Sequence, residues 1–175
     1  MPTDTTPSPA PGARLGAPLR DWLRGSAFPA VTAGAGGGLV IGLLALLAQT
    51  LEKPLLIAPF GASCVLLFAL PQSPLARPRN VIGGHLVSSF VGLVALGLFG
   101  PGVLACALGV GFAIAAMQLT DTLHPPAGGD PIVVILAGAG WSFLGLPVLA
   151  GTVALVALAW LYHRFVSGRS YPLAA

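Results

Sequence analysis

Charged side chains are nearly absent from this sequence. Lysine, arginine, aspartate and glutamate together make up 7% of its 175 residues, against about a quarter in ordinary soluble domains, so a charged, water-facing surface is excluded. Cysteine is almost missing too. Cys64 and Cys106 stand in apolar runs without CxxC-type spacing, which leaves neither a disulfide scaffold nor a thiolate metal site and reads as two small buried hydrophobes. Three scattered histidines form no metal set, and HExxH, GxSxG and P-loop patterns are all absent. A membrane hydrolase using His124 with Asp121 or Asp130 lacks a serine or cysteine nucleophile recognisable by spacing. The reading is of a chain that is not an enzyme and carries no metal and no cofactor. The net charge of +3 comes from basic residues lying mostly outside the apolar segments; these orient a chain in a bilayer and are not a nucleic-acid footprint.

What is abundant is apolar sequence, 55% of the chain. Residues 1–26 begin with a Pro/Ser/Thr/Ala-rich stretch that cannot bury a core and end on Arg20-Asp21-Trp22-Leu23-Arg24, a basic and aromatic patch suited to the membrane interface. They are read as a disordered and interfacial tail without a cleaved signal peptide. Residues 27–166 form the membrane domain and 167–175 a short C-terminal tail. Four segments, Val31–Leu51, Val81–Phe99, Gly102–Thr120 and Phe143–His163, approach the twenty or so residues that span a bilayer. Two more, Leu55–Leu70 and Pro131–Gly140, are short and interrupted, and are predicted to be half-helices capped by Ser63 and Asp130. The predicted fold is therefore an all-α polytopic transmembrane bundle of four long helices and two short broken ones.

The interruptions share a pattern. Pro59-Phe60-Gly61-Ala62-Ser63 and Pro126-Ala127-Gly128-Gly129-Asp130 stand 67 residues apart, and that offset carries the other apolar segments of one half onto those of the other. This predicts a 3+3 internal repeat, residues 31–99 and 102–166. If both short segments cross, Arg77, Arg79, Arg164 and Arg169 share the inner side with the N-terminus and only Lys53 is left outside, the arrangement the positive-inside rule prefers. The two breaks then enter from opposite sides and meet near the middle. Small-residue ridges at Gly34, Gly38, Gly42, at Gly84, Ser88, Gly92 and at Ala105, Gly109, Ala113 allow close helix packing within a bundle or a homo-oligomer.

Ionisable groups inside a membrane are costly and mark pathways or partners. His85 lies about a turn into its segment with Ser89 on the same face. It fits a pathway residue or a structural hydrogen bond equally well. His124 precedes two prolines between acids and suits a proton relay, a pH gate or a turn-shaping role. The half-helix N-termini present unpaired N–H groups that favour a small anion, while Asp130, an acid on one of them, argues against one. Arg77 and Arg79 serve as an electropositive mouth or as topology anchors.

Asp121-Thr122-Leu123-His124-Pro125-Pro126-Ala127-Gly128-Gly129 resembles the HPP family of small integral membrane proteins. A second stretch agrees: Phe60-Gly61-Ala62-Ser63, Ser73-Pro74-Leu75-Ala76, Pro78-Arg79-Asn80, and Gly84-His85 to Ser88. Pro59 stands where the family pattern has serine and Arg77 where glutamine is common. The resemblance implies four transmembrane helices and, from plant chloroplast relatives associated with nitrite, a transporter or channel for a small inorganic anion in a bacterial inner membrane with the N-terminus cytoplasmic. The site is expected at Gly61, Ala62, Ser63, Asn80, His85, His124, Pro125, Pro126, Gly128, Gly129 and Asp130. The expected partners are the lipid bilayer, the anion and a second copy of the chain. A non-transporting membrane subunit or sensor that receives a partner at the breaks is the alternative.

Overall fold

Proline decides where the helices of this chain begin. A computed structural model describes residues 25 and 27–172; the tail and interfacial patch expected before them lie outside the described residues. Helices α1 (Phe28–Leu51), α2 (Pro59–Cys64), α3 (Pro78–Phe99) and α5 (Asp130–Leu136) each carry proline in the first two positions, where the missing N–H costs nothing and φ is already set. Helix α4 (Val103–Leu119) follows α3 through Gly100 and Gly102, at φ 69° and 148°, a turn that side chains resist. Helix α6 (Ala150–Tyr162) continues into a π turn, His163–Ser167. No strand occurs among the described residues.

Three stretches, Phe28–Leu51, Pro78–Phe99 and Trp141–Ser167, are long and apolar enough to cross a membrane. Helix α4, one of the four long helices expected, is a shorter apolar helix of 17 residues; in each run of three, α1, α2, α3 and then α4, α5, α6, the middle helix is the shortest. Both short helices start in mid-protein. A Cβ built on Gly129, just before α5, would lie 3.4 Å from the Pro59 ring that opens α2. From there α2 and its π turn (Val65–Ala69) run toward the end holding the start of α1 and the end of α6, where Phe68 meets Gly36 and Tyr162. Helix α5 runs the other way, and Ile132, Ile135 and Leu136 reach Pro101, Gly102 and Val103 at the opposite end. Both short segments thus carry the chain from end to end. Arg79, bonded to the Thr120 carbonyl, and the 168–172 segment, reached by Gln72, lie at one end, away from Lys53.

The core is built by Leu44, Phe60, Leu67, Phe68 and Leu155, all at most 2% exposed. Leu39, Leu98, Val103, Leu119 and Leu136 are exposed at 68% or more, as apolar residues facing lipid should be. The expected ridge on α1 packs differently. Gly34, Gly38 and Gly42 have nothing within 4 Å of an added Cβ, and the close approach is made one face over by Gly36. The ridges on α3 and α4 are buried: Gly84 lies against Thr122 and His124, and Gly92 and Gly109 against Pro131. Two capping expectations are corrected. Ser63 is inside α2, whose N-cap is Ala58, and Asp130 opens α5 without a side-chain cap bond. In each case a tight turn leads straight into the helix, leaving no extended residue to cap. Nor is 168–172 a free tail, because the chain reverses at Gly168, φ 66°, and buries Tyr171.

Candidate functional site

Four of the expected residues form one continuous hydrogen-bonded chain in the centre of the protein. Ser63, His85, His124 and Asp130 are all 0% exposed. Ser63 Oγ lies 2.9 Å from His85 Nε2 and 2.9 Å from His124 Nε2. His85 Nδ1 is 2.7 Å from Asp130 Oδ2, which also accepts from Ser89 Oγ at 3.1 Å. His124 Nδ1 donates to the Leu75 carbonyl at 2.8 Å. The edge of the Phe60 ring packs on His85, centroids 5.2 Å apart, and the imidazoles of His85 and His124 meet edge to face at 5.1 Å.

Local sequence explains the convergence. Ser63 projects inward because α2 packs on the Pro125–Gly129 turn, and His85 and Ser89 share a face of α3 one turn apart. Gly84 has no side chain to hold the 122–124 loop away; an added Cβ there would come within 2.7 Å of both the His124 Cβ and the Thr122 carbonyl. Ser88 donates to the Ala127 carbonyl at 2.6 Å and Asn80 to the Leu123 carbonyl at 2.9 Å. Asn80 therefore fixes the loop behind His124 and stands outside the chain of contacts. Gly61, Ala62 and Pro125 are exposed, and Pro126, Gly128 and Gly129 half-buried; they belong to the breaks, and their apolar or missing side chains offer the four no hydrogen bond.

The hydrogens in this chain can be counted. A carbonyl only accepts, so His124 Nδ1 carries hydrogen. Ser63 has one hydroxyl hydrogen for two imidazole nitrogens, so it donates to one Nε2 and accepts from the other. One further hydrogen lies between His85 and Asp130. Every contact is satisfied when the set as a whole is neutral: the positive charge sits on His85 and Ser63 donates to His124, or the charge sits on His124 and Ser63 donates to His85. A concerted hop, one proton from His85 to Ser63 Oγ and one from Ser63 Oγ to His124, exchanges the two arrangements. If the hydroxyl turns instead to the Pro59 carbonyl, 3.3 Å away, Oγ accepts from both imidazoles and the set holds a second proton. Asp130 Oδ1 is buried with no partner among the described residues, and marks the open end.

The expectation of free N–H groups at the half-helix ends is corrected. Phe60 N–H donates to the Ile57 carbonyl and Gly61 N–H to the Ala58 carbonyl, and Pro59 has no N–H to offer. At the other N-terminus Asp130 N–H donates to the Ala127 carbonyl and Pro131 has no N–H to offer. Arg79 donates to the Thr120 carbonyl at 2.8 Å and lies 3.8 Å from Asp121, so it clamps the loop. Sequence reading missed the Leu75 carbonyl, a backbone acceptor without a sequence signal, and the union of Ser63 with both histidines. The second could have been sought from costly polar groups in two apolar segments, Ser63 and His85, and a histidine between two others, each needing a partner.

Two transmembrane proteins of Dictyostelium discoideum match, one 37% identical over 130 residues, covering 70% of this chain and 46% of the relative, the other 35% identical over 134 residues, covering 71% and 43%. The chain spans less than half the length of these curated relatives. No solved structure matches. The profile described as HPP, transmembrane region, matches residues 23–172, which takes in every residue of the hydrogen-bonded chain; this integral membrane protein belongs to the HPP family.

Proposed function

We propose that the protein is a transporter that moves a small inorganic anion, nitrite being the first candidate, together with protons relayed by Asp130, His85, Ser63 and His124. The observation that carries the reading is the unbroken run of contacts from the buried Asp130 carboxylate to the Leu75 carbonyl. A structural knot could be satisfied by one hydrogen-bonded pair. Here two imidazoles converge on one hydroxyl, an arrangement that offers a proton two seats, the one on His85 beside the Asp130 carboxylate and the other on His124. The unpartnered Asp130 Oδ1 is where a water or a protonated anion would hand its proton to the relay. In this reading the protein resides in a plasma membrane with the arginine-rich end cytoplasmic.

The test is nitrite uptake into proteoliposomes carrying an internal pH dye. Uptake should acidify the lumen and should lose that acidification in Ser63→Ala. No uptake above empty vesicles, with the protein shown to be folded, refutes transport and favours a non-transporting subunit or sensor.

A second reading has one specific observation behind it. Ser63, His85 and Asp130 make the contacts of a serine–histidine–aspartate triad. Against it, Ser63 Oγ is sealed inside a helix with a second histidine on the face a substrate carbonyl would approach, so the non-enzymatic reading is preferred. A fluorophosphonate probe, which labels activated serines, should leave Ser63 unmodified; covalent labelling at that residue would reverse the preference.

A further inference from the structure

A second polar site lies at the far end of α6. The last helix ends at Gly168, φ 66°, and the chain doubles back over a cavity of ≈ 350 Å³ lined by Trp160, His163, Arg164, Arg169, Ser170 and Tyr171 among others. The reversal is held in three places: Arg169 N–H donates to Ser167 Oγ at 3.2 Å, Ser167 Oγ lies 2.6 Å from His163 Nδ1, and Gln72 donates to the Ser170 carbonyl. His163 Nε2 donates to the Leu67 carbonyl at 2.7 Å, so its other ring nitrogen accepts from Ser167 when the ring is neutral, and both nitrogens are engaged.

Arg164 and Arg169 are different. Neither forms a salt bridge among the described residues, and no acid lines the cavity. Arg164 stands in the last turn, where it also counters the helix dipole; Arg169 lies past the reversal, where that role is gone. Tyr171 lines the same cavity with a side chain only 6% exposed, and its phenol O–H is buried without a partner among the described residues. Burial holds that phenol above its usual ionisation range, so it is a neutral donor awaiting an acceptor. An indole at Trp160 beside two guanidinium groups at a helix end is the setting of a membrane interface.

From these placements we infer that the cavity is a binding site for a phosphate group, held by Arg164 and Arg169 with the Tyr171 hydroxyl as a third donor. Paired guanidinium groups without a competing acid suit tetrahedral oxyanions. A bilayer offers that chemistry as a phospholipid headgroup, and the cytosol offers it as a free ion. The site also bears on the relay, because His163 holds the Leu67 carbonyl on the segment that carries Ser63.

The test uses the full chain in a nonionic detergent and follows its thermal unfolding midpoint during titration with dihexanoyl phosphatidylglycerol, phosphate-free dihexanoylglycerol or inorganic phosphate. Phosphatidylglycerol should raise the midpoint saturably. Arg164→Gln/Arg169→Gln should weaken it about tenfold or more, as expected for loss of charge-assisted hydrogen bonds, and Tyr171→Phe about fivefold. The Arg164→Lys/Arg169→Lys variant should keep most of the response, which separates lost binding from misfolding. Inorganic phosphate acting alone with the same arginine dependence assigns the site to the free ion. Equal shifts with dihexanoylglycerol, an unchanged response in the glutamine variant, or no saturable shift with either phosphate compound overturns the site.

Discussion

Replacing Ser63 by alanine removes one oxygen and both of its 2.9 Å imidazole contacts. His85 and His124 keep their Nδ1 partners, but each is left with an Nε2 turned toward a methyl group in a fully buried site. A net hydrogen bond is worth about 0.5–1.5 kcal/mol, and a buried polar atom stripped of its partner costs about 1–3 kcal/mol. Two such nitrogens, partly relieved by small ring movements, put the loss at about 2–4 kcal/mol. That is a large share of the ~5–15 kcal/mol that keeps a typical domain folded, yet it leaves the variant foldable, and Ser63→Thr retains the oxygen. Unfolding in mixed detergent with increasing denaturant measures the stability, and the internal pH dye measures coupling on the same preparations. The reasoning requires both to move: a weakened Ser63→Ala with no proton entry, and a Ser63→Thr with coupling restored. If Ser63→Ala keeps its stability within about 0.5 kcal/mol, the two nitrogens do not depend on that oxygen; if it also keeps proton-linked uptake, the relay is refuted.

Asp130→Asn preserves the shape and leaves a carbonyl oxygen for the His85 Nδ1–H, but has no charge to balance an imidazolium, so uptake should lose its dependence on the pH gradient; wild-type coupling in this variant would remove Asp130 from the relay. Gly84→Ala forces a Cβ to within 2.7 Å of the Thr122 carbonyl and His124, and should cost about 1–3 kcal/mol and depress transport, whereas Gly128→Ala, with nothing within 4 Å, should be tolerated; equal thermal stability of the two variants would contradict the packing described. Burial raises the Tyr171 ionisation above its ordinary value, so above about pH 10 the unfolded chain releases a proton that the folded chain keeps, and stability falls as pH rises. Comparison with Tyr171→Phe should isolate that alkaline loss, and identical high-pH slopes would count against it.

The long helices were legible because their cause is local. Twenty apolar residues bounded by proline or glycine leave little choice in a bilayer, and Pro78 and Gly100 bracket α3 as the pattern suggests. The breaks were legible as breaks for the same reason. Their capping was not, because whether Ser63 sits before a helix or inside one depends on the turn at Ile57 and Ala58, a few residues of tertiary choice. Histidines 85 and 124 could be named as costly, but their meeting place depends on Gly84 admitting a loop from 38 residues further along, a fact of packing. The fold-back at Tyr171 has no sequence signal, because a short segment after the last span reads as a tail until its partners, His163 and Gln72, are placed.

Pro59 beside the turn at Gly129 puts the proposed relay across a seam. Ser63 and His85 belong to the first run of three segments, His124 and Asp130 to the second. Of the four side-chain links, the Ser63–His85 contact lies within the first run, and the Ser63–His124, His85–Asp130 and Ser89–Asp130 contacts cross between the runs. Rocking one run against the other would therefore tear all three crossing bonds together, and the ion pair could not be parted cheaply while charged. If the protein transports as proposed, the proton between His85 and Asp130 has to neutralise the pair before the seam can open. Protonation state and shape are then a single variable, and a proton in the wrong seat acts as a lock.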